Sequence, residues 1–163
     1  MKQLWAPWRM EYIKKGGISD SCIFCTGDKE DRGALILYCG RHSGVMMNKY
    51  PYSNGHLLIF PRRHVKELEE LDTEEGVSLF SMLKESTAIL KEVSAPEGFN
   101  IGINTGKTAG AGIEDHLHIH LVPRWNGDTN FMPIIGETKV ISEHILMTYD
   151  SLMPYFKGIE RTL

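Results

Sequence analysis

The chain has 163 residues, 42% of them hydrophobic and 24% charged, enough for one domain that buries its own core. A net charge of -3 argues against a general nucleic-acid or membrane-surface binder, and no apolar run approaches the ~18 residues of a membrane span. Met1–Met10 has no apolar signal core and three cysteines make no secreted disulfide framework, so a cytoplasmic protein is expected.

In chain order, Trp5, Trp8 and Tyr12 recur three and four residues apart beside Pro7. This is an aromatic arm expected to pack on the domain or on a partner subunit. Cys22-Ile23-Phe24-Cys25 follows; two thiolates at this spacing can clasp one tetrahedral Zn²⁺. One such knuckle is half a site, and a redox pair or two buried cysteines fit the same letters. Strands are expected at about Ala34–Cys39, Gly44–Asn48 and His56–Phe60, joined by short turns into an antiparallel meander. His64 opens the polar segment after the third strand, where solvent exposure is the plain expectation.

From Thr73 to about Val93 the period becomes helical, with Val77, Phe80, Leu83, Leu90 and Val93 marking the face expected to cover the sheet. Asp72 and Glu75 are spaced as a capping box, and Ala95-Pro96-Glu97-Gly98 stops the helix. Phe99–Asn104 alternates as a fourth strand. The loop 105–115 is rich in glycine, and around Gly110 and Gly112 backbone amides can approach a phosphate without side-chain obstruction. The loop does not match the Gly-x-x-x-x-Gly-Lys-Ser/Thr pattern of the P-loop ATPases.

His116-Leu117-His118-Ile119-His120-Leu121-Val122 alternates strictly, which predicts a strand over 116–122 that Pro123 ends. Its three imidazoles then share one face while Leu117, Ile119 and Leu121 point into a core. Neutral imidazole is a competent nucleophile toward phosphorus. A last helix is expected over about Val140–Phe156, from Ile141, Ile145, Leu146, Tyr149, Leu152 and Tyr155.

The His-x-His-x-His motif followed by two apolar residues and Pro123-Arg124 resembles the histidine triad family of nucleotidyl hydrolases and transferases. Leu4–Ile13 and the tail Pro123–Phe131 are similar to its diadenosine tetraphosphate phosphorylase branch. The resemblance implies an α+β fold over residues 1–163, with a mainly antiparallel sheet of about five strands, a long helix, a C-terminal helical extension and homodimeric assembly. It implies His118 as nucleophile and His120 as the residue that contacts phosphate and helps the leaving group. His116 would complete a structural zinc site with Cys22, Cys25 and His64. Asn48 matches a nucleoside-contacting asparagine, and Asn104 a residue touching the bridging or leaving phosphate. Gly110 belongs to the phosphate loop, and Gly112 stands where relatives often carry serine.

The activity so implied is cleavage of diadenosine polyphosphates through a nucleotidyl-histidine, with inorganic phosphate as acceptor. Water as acceptor, or a phosphoramidate substrate, is the alternative. Two other classes compete: a hydrolase with His116, His118 and His120 on one catalytic zinc, and a nucleotide-binding module without catalysis.

Overall fold

Three apolar runs joined by short turns form β1 (Ile36–Cys39), β2 (Ser43–Met47) and β3 (Leu57–Pro61) in the computed structural model, which describes residues 22–27, 29–128 and 141–159. With β4 (Gly98–Ile103) and β5 (Ile119–Arg124) they make a five-stranded sheet in the order β1-β2-β3-β5-β4, each pair antiparallel. Helices α1 (Thr73–Ser94) and α2 (Ile145–Lys157) complete the expected α+β architecture. The aromatic arm and the tail 129–131 lie outside the described residues.

Both sheet faces are covered over the central strands, which is why those strands read as continuous apolar runs. On one face Leu37, Val45, Met47, Leu57, Ile59, Ile119 and Leu121 join Leu79, Met82, Leu90, Tyr149, Leu152 and Phe156 of the helices in the main core. On the other, Ile36, Met46, Leu58 and Phe60 pack with Phe24. β1 starts later than expected, because Leu35 has φ 61° and the ladder is irregular between Ile36 and Tyr38.

The triad segment departs from its expected bounds. The strand begins at Ile119 and runs through Pro123 to Arg124, so His116 and His118 lie in the lead-in just ahead of it. Leu117 donates its N–H to Val65 O (2.7 Å), tying this lead-in to the chain after β3 rather than to a ladder. Pro123 is tolerated because β3 begins at Leu57, opposite Leu121; beyond that point β5 pairs only with β4.

The length of α1 is as expected and its capping box forms, with Glu75 N–H on Asp72 (2.8 Å) and Asp72 N–H on Glu75 (3.0 Å). The expected core face is wrong in its first half: Val77 and Phe80 are 61% and 69% exposed. The buried stripe is Ser78, Leu79, Met82, Leu83, Ser86, Ile89 and Leu90. Two serines sit on it because the helix approaches the sheet closely there, with Ser78 and Ser43 hydroxyls bonded at 2.7 Å. Counting apolar letters alone therefore selects the wrong stripe. α2 starts at Ile145, N-capped by His144, rather than at Val140, and Phe156 rather than Tyr155 is buried.

Candidate active site

The Cys22–Cys25 turn, closed by Cys25 N–H on Cys22 O (3.0 Å), is brought over the sheet beside the end of β3 and the triad lead-in. One ligand atom from each of Cys22, Cys25, His64 and His116 lies within 4.8 Å of all the others. Cys22 Sγ is 3.2 Å from His116 Nδ1, and Cys25 Sγ is 3.2 Å from His64 Nδ1 and 3.5 Å from His116 Nδ1. A tetrahedral ion with Zn–S near 2.3 Å and Zn–N near 2.05 Å requires an S···N edge of roughly 3.6 Å, so the four donors fit a divalent cation. His116 Nε2–H donates to Pro61 O (2.8 Å), which leaves the Nδ1 lone pair directed at the thiols. Burial and the adjacent Cys22 thiol push the Cys25 thiol up to about 11. His118 and His120 are not members of this group.

Phe24, the middle of the knuckle, is 1% exposed. Its ring centroid is 4.7 Å from Phe60, 5.0 Å from His116 and 5.1 Å from His118, so the knuckle supplies one wall of the His118 ring. His118 Nδ1 lies 2.9 Å from His116 O. A carbonyl only accepts, so the proton is on Nδ1 and the lone pair on Nε2. Burial pushes the His118 imidazole below its ordinary value, and the same cause lowers His116. At neutral pH His118 is a neutral ring with its basic nitrogen fixed in direction.

His120 is oriented by a residue that the sequence did not single out. His56 Nδ1 accepts from Tyr52 N–H (3.0 Å), so its proton sits on Nε2, which donates to His120 Nδ1 at 3.0 Å. His120 in turn carries its proton on Nε2. Tyr52 N–H → His56 → His120 is thus a fixed-tautomer relay that ends in an N–H donor, 4.9 Å ring to ring from His118. His56 is completely buried. The available signal was its period-two spacing with Leu58 and Phe60, both on the triad face, but one histidine in an apolar run is indistinguishable from a structural one.

Of the other expected residues, Asn48 follows β2, accepts Tyr50 N–H on Oδ1 (2.9 Å) and reaches His56 with Nδ2 (3.4 Å). Asn104 follows β4 directly, one residue beyond the last pair of the ladder, Ile103↔Ile119. The Gly110 amide is used within the loop, on Lys107 O (3.0 Å), at a left-handed φ of 87° that favours glycine. Gly112 is exposed, a few residues ahead of His116.

Residues 30–127 match the HIT domain. The chain belongs to the HIT family. This HIT protein is 36% identical over 152 residues to an AP-4-A phosphorylase of Mycobacterium tuberculosis, covering 88% of its own chain and 78% of that protein. It is 31% identical over 96 residues to an asymmetrical bis(5'-nucleosyl)-tetraphosphatase of Schizosaccharomyces pombe, covering 59% and 52% of the two chains. Among solved structures, a Zn-bound histidine triad family protein of Mycobacterium smegmatis superposes with a TM-score of 0.66 at 24% identity, over 85% of this chain and 95% of that one. That likeness speaks for the fold.

Proposed function

We propose that this HIT-family nucleotide-processing enzyme cleaves diadenosine tetraphosphate and related dinucleoside polyphosphates through a covalent nucleotidyl-histidine, with inorganic phosphate as the acceptor. The observation that carries the reading is the pair of opposed nitrogens: His118 offers an Nε2 lone pair, and His120 an Nε2–H, from neighbouring rings. The His118 lone pair attacks the α-phosphorus and the bond to the bridging oxygen breaks. The nucleoside triphosphate departs as its anion, and the His120 Nε2–H hydrogen-bonds to the leaving oxygen as its charge develops, without giving up the proton. Inorganic phosphate then attacks the nucleotidyl group, the phosphorus–nitrogen bond breaks, and ADP is released with His118 free again, the proton of the attacking phosphate passing to solvent. Water in its place gives AMP. Likeness to the AP-4-A phosphorylase over most of both chains is what favours phosphate.

In this reading Asn48 contacts the nucleoside, and Asn104, His120 and the loop through Gly110 and Gly112 contact the phosphates. Cys22, Cys25, His64 and His116 hold a structural zinc, whose closed coordination leaves it no role in the chemistry beyond fixing the knuckle. Residues 1–163 act as one domain in the cytoplasm; among the described residues no helix is long and apolar enough to cross a membrane. A homodimer formed along β4 belongs to the same reading. β4 is an edge strand, α1 packs over β2, β3 and β5, and Ile101 and Ile103 remain 52% and 37% exposed on the helix-bearing side.

The test is to mix protein with diadenosine tetraphosphate, quench in base and weigh it. An added adenylyl mass mapping to His118, absent in His118→Ala, is expected, with ADP replacing AMP when inorganic phosphate is supplied. Turnover without any adduct under single-turnover conditions would overturn the covalent route. AMP release unchanged by phosphate would overturn the acceptor.

A further inference from the structure

Beyond His120 on the same face of β5 lies a cavity of about 300 Å³ lined by Tyr52, Ser53, Asn100, Val122, Arg124 and Asp128. Strand alternation sets His120, Val122 and Arg124 on one side, and the β4 register sets Asn100 opposite Val122. Tyr52 joins cavity and triad: its ring stacks on His56 (4.9 Å, 23°) and lies 5.9 Å from His120. One face of that ring is therefore covered by His56, and its 42% exposure belongs to the remainder.

The electrostatics narrow what fits. Arg124 donates Nε and Nη2 to the Asp128 carboxylate (2.5 and 2.8 Å) and Nη1 to Asn100 Oδ1 (2.7 Å). Its charge is matched by Asp128 and three of its five N–H donors are spent on these bonds, so the cavity is not built chiefly as an anion hole. Asp128, ionised by that pairing, and Asn100 keep acceptor lone pairs beside an aromatic surface. An aromatic platform with a charge-balanced, acceptor-rich edge suits a neutral heterocycle that carries amino donors.

We propose that this cavity seats the second nucleoside of a dinucleoside polyphosphate, its base against Tyr52 and its polar edge on Asn100 and Asp128. The inference rests on the nucleotidyl-transfer reading and adds to it where the leaving half of the substrate is held. Arg124 lies four strand residues from His120, roughly 13 Å, so the phosphate bridge spans the distance between the reacting centre and the cavity.

The experiment compares diadenosine tetraphosphate with adenosine tetraphosphate, which has the same reacting end and no second nucleoside. The wild type is expected to favour the dinucleotide in kcat/KM by about tenfold or more, the size of one base stack. Asn100→Trp, an exposed edge-strand position that should fold, fills the cavity; Tyr52→Leu removes the platform. Both should pull the ratio of the two kcat/KM values toward one, and general damage to the triad cancels in that ratio. A ratio near one in the wild type, or one unmoved by either variant, overturns the cavity assignment while leaving nucleotidyl transfer standing. A raised KM for inorganic phosphate with the ratio unchanged also overturns it, and marks an anion site. No turnover of either substrate overturns the proposed function itself, and this inference with it.

Discussion

Replacing His56 by Phe tests whether the relay ending at His120 serves to aim the His120 N–H at the leaving oxygen. The ring is fully buried and Phe occupies much the same space, so packing is largely kept while two hydrogen bonds of 3.0 Å are lost. Each is worth about 1 kcal/mol net, and the Tyr52 N–H loses its partner, so unfolding should become easier by about 1–3 kcal/mol. The catalytic effect is of a different kind. Without the His56 donor, His120 is free to place its proton on Nδ1, where it points away from the leaving oxygen. Orienting partners of this kind are worth about 10–100-fold by comparison with metal-bound histidines, and one donor aimed at a developing oxyanion about 10²–10³-fold. Expected, then, is a 10- to 100-fold fall in kcat for diadenosine tetraphosphate, whose leaving charge develops on phosphate oxygens that the His120 N–H can meet. For a nucleotidyl ester of p-nitrophenol, whose leaving charge is spread into the nitro-substituted ring, the loss should stay under about threefold. Steady-state kinetics on both substrates, with thermal unfolding to confirm that the variant is folded at assay temperature, decide the matter. Equal losses on the two substrates would mean that His56 acts only through packing, and no loss on either would remove His120 as the donor to the leaving oxygen.

Chelation, or Cys25→Ser, should free the knuckle and the Phe24 ring it buries. At about 2 kcal/mol for that side chain and 2–4 °C per kcal/mol, Tm should fall by at least ~4–8 °C, read by calorimetry with metal analysis of the starting protein. Gly44→Val should cost about 1–3 kcal/mol in denaturant unfolding, because a Cβ at Gly44 lies 2.5 Å from the Phe60 ring, whose other neighbours include Phe24 and His116. Glu75 is held below the usual carboxylate range chiefly by Arg63, bonded at 2.9 and 2.6 Å. With its folded pKa depressed, the pair contributes fully above about pH 4.5, and the contribution is lost as pH falls through the folded value. Glu75→Gln should therefore lower stability by about 1–2 kcal/mol at pH 7 and flatten the fall in Tm below pH 4.5.

What could be read from the letters was what repetition makes loud. His116, His118 and His120 occur at a period no helix shares, and Asp72 with Glu75 is a local signal whose bonds form within four residues. The Cys-x-x-Cys was legible as half of a site. Its other half, His64 and His116, became readable only through a family likeness, because ligands 39 and 91 residues away carry no local mark. His56 was missed for the same reason: its meaning lies in the register Leu58↔His120, which is a property of the sheet. The helix face failed because burial there follows close approach, and Ser78 and Ser86 permit it where Val77 and Phe80 would not.

The two non-local pieces bear on one ring from opposite ends. On one side the knuckle that gathers Cys22 and Cys25 packs Phe24 against His118, whose Nδ1–H donates to His116 O. On the other, the turn between β2 and β3 fixes His56, and through it His120. Within the segment 116–120 only the His118 tautomer is decided locally, by His116 O; those of His116 and His120 are imposed by Pro61 O and His56, which arrive from β3 and the turn before it. A triad with identical letters but without the His56 relay would keep the His118 lone pair on Nε2 and leave the His120 tautomer undefined. In the proposed reaction the pairing of a lone pair on one ring with an N–H on the next is therefore what the second half of this chain draws from the first.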